Sequence, residues 1–364
     1  MKVFNLIWGF TLGAGIDKCY LTYAKLGEMD SSIEMKNVCI NLQNIDSHNE
    51  PLREIGVEFI DIKSQFDISW VKKVKDCIER EQPDVLFTHG FNGAIIMLVE
   101  RLFKGVKLKT ILTYHGAYHA PTLTKKLIEP IYNSVTVWTY KYIADRTICV
   151  AQASNDYLKR TGVPADKLIT VHNGIVDIKR PEPLNLEGEG VKILTASRID
   201  EVKGLTFLLD ALAILKEKGM KFTYYMVGNG PLLEMLKLKA KNLNLTENIR
   251  FMGFQSNVPQ WLESVDIFAL PSIYEYHSIA VLEAMRAGKA IVATNVGGNC
   301  ESVTDEKEAL IVPPADPHAL AIALERLLNN SDLRKELANN ARSRFEAEFT
   351  EEVMMKNLIN VLKS

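Results

Sequence analysis

The chain of 364 residues has few cysteines, no long apolar run and almost no net charge, and each lack removes a class of protein. Its five cysteines, Cys19, Cys39, Cys77, Cys149 and Cys300, are scattered, odd in number and never spaced as CxxC. That usage excludes a disulfide framework and a structural zinc site, and it predicts reduced, buried thiols. No stretch approaches the roughly 18 consecutive apolar residues needed to span a bilayer. A formal net charge of -2 excludes nucleic-acid binding driven by overall positive charge. The pattern Asp-x-Asp occurs nowhere, which agrees with an expectation of no cofactor and no metal. GxGxxG is also missing: after the first apolar run stands Leu12-Gly13-Ala14-Gly15, with lysine at position 18 and no acidic ribose reader on a second strand end. An NAD-dependent oxidoreductase is thereby excluded.

The apolar run Val3 to Gly15 resembles a signal peptide only superficially. Asn5 interrupts it, and it ends in a glycine pair rather than a cleavage site. It reads as a first strand and a glycine loop. The expectation is a soluble, cytoplasmic protein, at most peripheral on the inner face of the membrane.

What is present is an alternation of short apolar runs and amphipathic segments from end to end. VFNLIW, VEFIDI, DVLFTH, KTILTYH and RTICVAQ read as strands in the first half, and VKILTAS, FTYYMVG, IRFMGF, DIFALP and AIVATN in the second. Helical patterns lie between them at 211–218, 232–242 and 281–287, and the segment from 332 onward reads as helices. Strands separated by helices imply βαβ units and parallel sheets. Ten or so strands in a chain of this length imply two sheets and two domains. The break falls in VDIKRPEPLNLEGEG, residues 176–190, whose two prolines, two glycines and absent periodicity predict a linker with hinge character. A long surface loop inside one domain is the other reading of the same text.

Three constellations carry chemistry. Gly13 and Gly15 let backbone approach a ligand beside a helix start, although the same loop serves equally as a packing turn. Arg198 and Lys203 leave the end of the first strand of the second half, where open α/β sheets bind ligands, and two cations there suit a diphosphate. A solvated surface pair is the alternative. The richest text runs from Asp266 through Ser272, Glu275 and Glu283 to Gly297-Gly298. Two glutamates eight apart on one helix would differ by about 80° and sit ~12 Å apart along its axis. A shared ligand is reached more naturally if Glu275 lies on a loop, the helix starts near Ser278, and Glu283 stands inside it, gripping ribose hydroxyls.

Arg198, Lys203-Gly204, Val227-Gly-Asn-Gly-Pro231, Phe251-Met-Gly-Phe254, the Glu275/Glu283 pair and Val296-Gly-Gly298 together resemble glycosyltransferase family 4, in order and at its intervals. The resemblance covers essentially all of residues 190–345. It is looser over 1–176, where the glycine loop, His115-Gly116 and Val171-His-Asn-Gly-Ile175 keep the pattern. It implies an α/β GT-B fold: two Rossmann-like domains with parallel sheets facing a central cleft, an acceptor-side domain at 1–176 and a donor domain at 177–346. A C-terminal helix, about 347–364, would cross back onto the first domain.

The resemblance also implies residue roles. Arg198 and Lys203 would neutralise the donor diphosphate, Glu275 would sit against the transferred sugar, and His115 would face it. Gly228 and backbone around Phe254 would flank the nucleotide, the amides of Ser278, Ile279 and Ala280 would hold phosphate, and Glu283 would bind ribose. The implied activity is retaining, metal-independent transfer from a nucleotide-diphosphate sugar to a glycan or lipid-linked acceptor in polysaccharide or glycoconjugate synthesis. One departure stands out: the family commonly reads Glu-Gly-Phe-Gly where this chain has Glu275-Tyr276-His277-Ser278. His277 could contact the donor or cap the loop. His89, at another strand end, is a weaker cleft candidate.

For the acceptor the sequence offers one hint. Residues 101–167 hold eleven Lys/Arg against four Asp/Glu, including Arg101, Lys104, Lys107, Lys109, Lys125 and Lys126, near Trp138, Tyr140 and Tyr142. Such a face could rest on anionic lipid headgroups or simply be solvated. The rival functions are a nucleotide-sugar 2-epimerase and a catalytically silent sugar-nucleotide-binding protein of the same fold.

Overall fold

The structure is a computed structural model that describes residues 1–9, 15–42, 50–64, 67–90, 92–97, 108–116 and 129–364. The chain divides into two compact units, residues 1–173 with 351–364, and residues 174–350.

The first unit is built on a parallel sheet in the order β3-β2-β1-β4-β5-β6-β7. Its strands are β1 (Lys2–Trp8), β2 (Glu34–Leu42), β3 (Glu58–Ile62), β4 (Val85–His89), β5 (Lys109–Tyr114), β6 (Arg146–Cys149) and β7 (Leu168–Thr170). β2 and β7 were not expected. β2 carries Asn37 and Asn41 where an apolar run was sought, and both amides are used inside the sheet: Asn5 Nδ2 donates to Asn37 Oδ1 at 2.9 Å, and Asn41 Nδ2 to Asp61 Oδ1 at 2.9 Å. The last helix, Glu351–Lys363, packs against the helices Gly15–Tyr23 and Leu26–Met29. Leu358 and Leu362 are buried there, and Lys363 pairs with Asp30 at 2.5 Å.

The second unit repeats the plan with β10-β9-β8-β11-β12-β13. These strands are β8 (Val191–Ala196), β9 (Phe222–Val227), β10 (Ile249–Gly253), β11 (Ile267–Leu270), β12 (Ala290–Thr294) and β13 (Leu310–Val312). Alternate residues feed two cores: Ile193, Tyr224, Met226, Ile267 and Val292 face one, and Leu194, Tyr225, Val227, Phe268 and Ile291 the other. Both faces are covered, which is why these strands read as unbroken apolar runs. In each sheet the central pair, β1/β4 or β8/β11, is where the order reverses, and ligands bind at such a switch point, beyond the strands' carboxyl ends.

The stretch 176–190 behaves differently from a free linker. It is fastened along the second unit: the Leu184 amide donates to Ser264 Oγ at 2.6 Å, Thr223 Oγ1 donates to the Glu189 carbonyl at 2.9 Å, and Arg342 grips Asp177 with two bonds of 2.8 and 2.7 Å. Leu184 and Leu186 pack on its core, so these two leucines override the segment's proline and glycine content.

Candidate functional site

The site residues of the second unit gather at the ends of β8 and β11, on either side of its switch point. After β8 the chain makes a short 3-10 turn, Glu201–Lys203, and enters the helix Leu205–Glu217 through Gly204 at φ 61°. A side chain at Gly204 would overlap the carbonyl oxygen of Pro271, which follows β11, so glycine is required for the two loops to touch. That contact delivers Lys203. Its Nζ lies 2.6 Å from Glu275 Oε1, with the two side chains only 16% and 10% exposed.

Glu275 sits on a loop, and Glu283 lies inside the helix Ile279–Arg286 that follows, as the spacing required. The loop is held from both sides. The amide of Ile273 donates to the Val202 carbonyl at 2.8 Å, and the Gly298 amide donates to the Tyr276 carbonyl at 2.8 Å. Gly297, at φ 49°, passes so close to the Glu275 carbonyl that any Cβ would overlap it. Ser272 is fully buried; its Oγ donates to Glu275 Oε1 at 2.7 Å and its carbonyl accepts Thr294 Oγ1 at 2.5 Å.

Ser278 caps the helix, its Oγ accepting from the Val281 amide at 3.4 Å. The amides of Ile279 and Ala280, half-buried at the first turn, have no intrahelical acceptor and sit at the positive end of the helix dipole. An anion is the natural occupant of such a position. Glu283 is half-buried one turn further in.

Other expected residues fall less centrally. Arg198 is on an exposed turn, 74% accessible, paired with Asp200 at 3.1 Å rather than with the Lys203–Glu275 pair. Gly228 is required by packing: at φ 138° a Cβ there would overlap the Ser197 carbonyl. Phe254 follows β10 and is 65% exposed. His277 turns inward, its Nε2 3.2 Å from Ser302 Oγ and its ring 5.7 Å from that of Phe349, so it is packed in the core of the second unit. Of the cysteines Cys300 is exposed, against the expectation of burial, while the other four are buried and all are free.

In the first unit His115 follows β5. Its Nε2 is buried without a partner among the described residues, and burial lowers its pKa to about 4, so it is neutral at physiological pH. His89 is buried within the first unit, with Nδ1 3.1 Å from Thr113 Oγ1 and Nε2 2.6 Å from Asn5 Oδ1, and burial holds its pKa well below the usual value. Gly15 begins the helix Gly15–Tyr23, and Gly13 lies outside the described residues. So do Arg101, Lys104, Lys107, Lys125 and Lys126.

Two parallel sheets of this order, each with ligand-competent strand ends, are those of a GT-B protein. Residues 177–344 match the glycosyl transferases group 1, and residues 46–178 match Glycosyltransferase Family 4. The chain belongs to the family 4 glycosyltransferases. It is 27% identical over 308 residues to the amylovoran biosynthesis glycosyltransferase AmsK of Erwinia amylovora, covering 77% of this chain and 70% of that one. It is 23% identical over 299 residues to the UDP-Gal:alpha-D-GlcNAc-diphosphoundecaprenol alpha-1,3-galactosyltransferase of Escherichia coli, covering 76% of each. Two further relatives are matched over only 53% and 55% of their own length. The fold is that of Anabaena HepE, solved in complex with UDP-glucose, with a TM-score of 0.83 and 19% identity over 99% of both chains.

Proposed function

We propose that this glycosyltransferase is a retaining, metal-independent hexosyltransferase. It takes its sugar from a nucleotide-diphosphate donor and passes it to a glycan or lipid-linked acceptor in polysaccharide or glycoconjugate synthesis. The observation that carries the reading is the meeting of Lys203 and Glu275 across the β8/β11 switch point, beside a helix start with open amides. A donor bound there places its diphosphate against Lys203, Arg198 and the amides of Ser278, Ile279 and Ala280. Glu283 is then available to the ribose hydroxyls, and backbone at Gly228 and Phe254 to the base. HepE's UDP-glucose and the galactosyltransferase's diphosphoundecaprenol-linked acceptor support a UDP-sugar donor and a lipid-linked acceptor.

Transfer with retention follows from the charges. Two cations and the helix-start amides together stabilise the departing diphosphate. Glu275 faces the positive charge that grows on the sugar, and a departing phosphate oxygen takes the acceptor's proton on the same face, so no glycosyl-enzyme intermediate is needed. His115, neutral and with an open Nε2, would offer a hydrogen bond to a sugar hydroxyl. A 2-epimerase would need a general acid/base set, which the Arg198/Lys203 frame fits poorly.

For the acceptor we favour a membrane surface on the cytoplasmic side. The helix Glu129–Tyr142 exposes Ile131, Trp138 and Tyr142, and Lys141 Nζ lies 5.2 Å over the Tyr142 ring. No helix among the described residues is long and apolar enough to cross a membrane. The test is a panel of UDP-, GDP- and ADP-sugars scored by thermal stabilisation and slow hydrolysis, with and without EDTA. One nucleotide should stabilise the protein and its sugar should be released equally in both conditions. Failure of every nucleotide to stabilise it, or loss of hydrolysis in EDTA, overturns the respective part.

A further inference from the structure

Ser272 has no role in the reading above, yet it is fully buried and its hydroxyl proton goes to Glu275. We propose that Ser272 is a positioning residue for transfer, holding the Glu275 carboxylate in place when Lys203 turns to the donor diphosphate. The inference rests on the glycosyltransferase reading and adds to it.

Both hydrogen bonds to this carboxylate arrive at one oxygen. Lys203 Nζ reaches Oε1 at 2.6 Å and Ser272 Oγ reaches it at 2.7 Å. Among the described residues nothing donates to Oε2. One oxygen is therefore tied to the protein and the other is open to accept a sugar hydroxyl. The two ties differ in kind. An ammonium is a mobile point charge on a four-carbon stem, and a bound diphosphate carries more negative charge than one carboxylate, so donor binding draws Lys203 away. The serine cannot follow. Its carbonyl is fixed by Thr294 Oγ1 from the end of β12, and the next amide, Ile273, is fixed by the Val202 carbonyl after β8. A one-carbon side chain anchored at both flanks keeps its geometry in either state. In the donor complex the orientation of Glu275 is therefore set by Ser272, and preorganisation of this kind appears in the rate of the chemical step rather than in binding.

The experiment compares wild type, Ser272→Ala, Ser272→Thr, Glu275→Gln and the double variant Ser272→Ala/Glu275→Gln, using the donor identified by the panel. Ser272→Ala should lower kcat about tenfold, the scale of one hydrogen bond to a charged group, while the Kd for the bare nucleotide diphosphate stays within about twofold. Ser272→Thr, which keeps the hydroxyl, should recover most of the rate. In the Glu275→Gln background the alanine should cost less than about twofold, because the group it acts through has changed. A wild-type kcat in Ser272→Ala overturns the proposal. So does a parallel loss of kcat and nucleotide affinity, which would mark a loosened loop, or a full tenfold cost in the glutamine background. If wild-type protein transfers from no nucleotide sugar, the glycosyltransferase reading itself fails, and that result is distinct from any of these.

Discussion

Replacing Lys203 with methionine tests the site from two directions at once. Lys203 and Glu275 are bound at 2.6 Å with side chains 16% and 10% exposed. Breaking a fully buried pair from one side costs about 3–5 kcal/mol, and an exposed pair about 0–1. This pair lies between those limits, and Ser272 still donates to the carboxylate left behind. Lys203→Met should therefore destabilise the second unit by about 2 kcal/mol, a fall of roughly 4–8 °C in its Tm for a domain of this size. Adding Glu275→Gln removes the stranded charge but keeps an oxygen for the serine, so more than half of the lost stability should return. Transfer should behave otherwise. Losing one group that stabilises the leaving charge costs about a hundred- to a thousandfold in kcat, on the order of an oxyanion donor, and the glutamine cannot restore it. Calorimetry and a labelled-donor transfer assay on the same preparations give the comparison. The reasoning is refuted if Lys203→Met transfers at the wild-type rate, or if the double variant is no more stable than the single.

Three further outcomes are expected. Glu283→Ala should weaken binding of the bare nucleotide at least tenfold by titration calorimetry, and unaltered affinity would remove that carboxylate from the ribose. Native protein should show one thiol open to maleimide, Cys300, identified by peptide mass mapping; its labelling should be slow at neutral pH, because burial and the nearby Asp305 and Glu301 raise its pKa. The first unit should lose stability in mild acid. His115, at about 4, and His89 stay neutral when folded, whereas the unfolded chain takes up those protons near pH 6.5, so stability is full above that value and falls as pH drops toward 4. Urea unfolding at pH 7.5 and 5.5 reads the slope, His115→Asn should flatten it, and a midpoint independent of pH contradicts the assignment.

The parts of this fold that were legible are those in which one physical signal dominates. β8, β9, β11 and β12 are buried on both faces, so their sequences are continuous apolar runs, and the glutamate spacing gave the loop-then-helix arrangement of 275–286. β2 is hidden in the sequence because Asn37 and Asn41 interrupt its apolar run and find their partners, Asn5 and Asp61, on neighbouring strands, and β7 and β13, three residues each, are too short to carry a pattern. The segment 176–190 was misread since turn-forming residues outweighed Leu184 and Leu186, whose burial decides its course. The Lys203–Glu275 bond joins positions 72 apart, so their mutual pairing leaves no local trace in the sequence. Ser272 shows in the sequence only as a hydroxyl three residues before a loop glutamate, a spacing that alone distinguishes nothing. The inward turn of His277 depends on Phe349, far along the chain.

The way the last helix is shared out has a consequence for synthesis. The second unit is an insertion within the first, and its two ends are adjacent, Ile175 bridging to Thr350. A ribosome releases everything the second unit needs before it releases residues 351–364, on which the packing of the helices Gly15–Tyr23 and Leu26–Met29 depends. The half that emerges first is therefore the half that matures last. The helix Leu26–Met29 waits for its partner helix Glu351–Lys363 through the translation of an entire domain, and its packing stays incomplete for that interval.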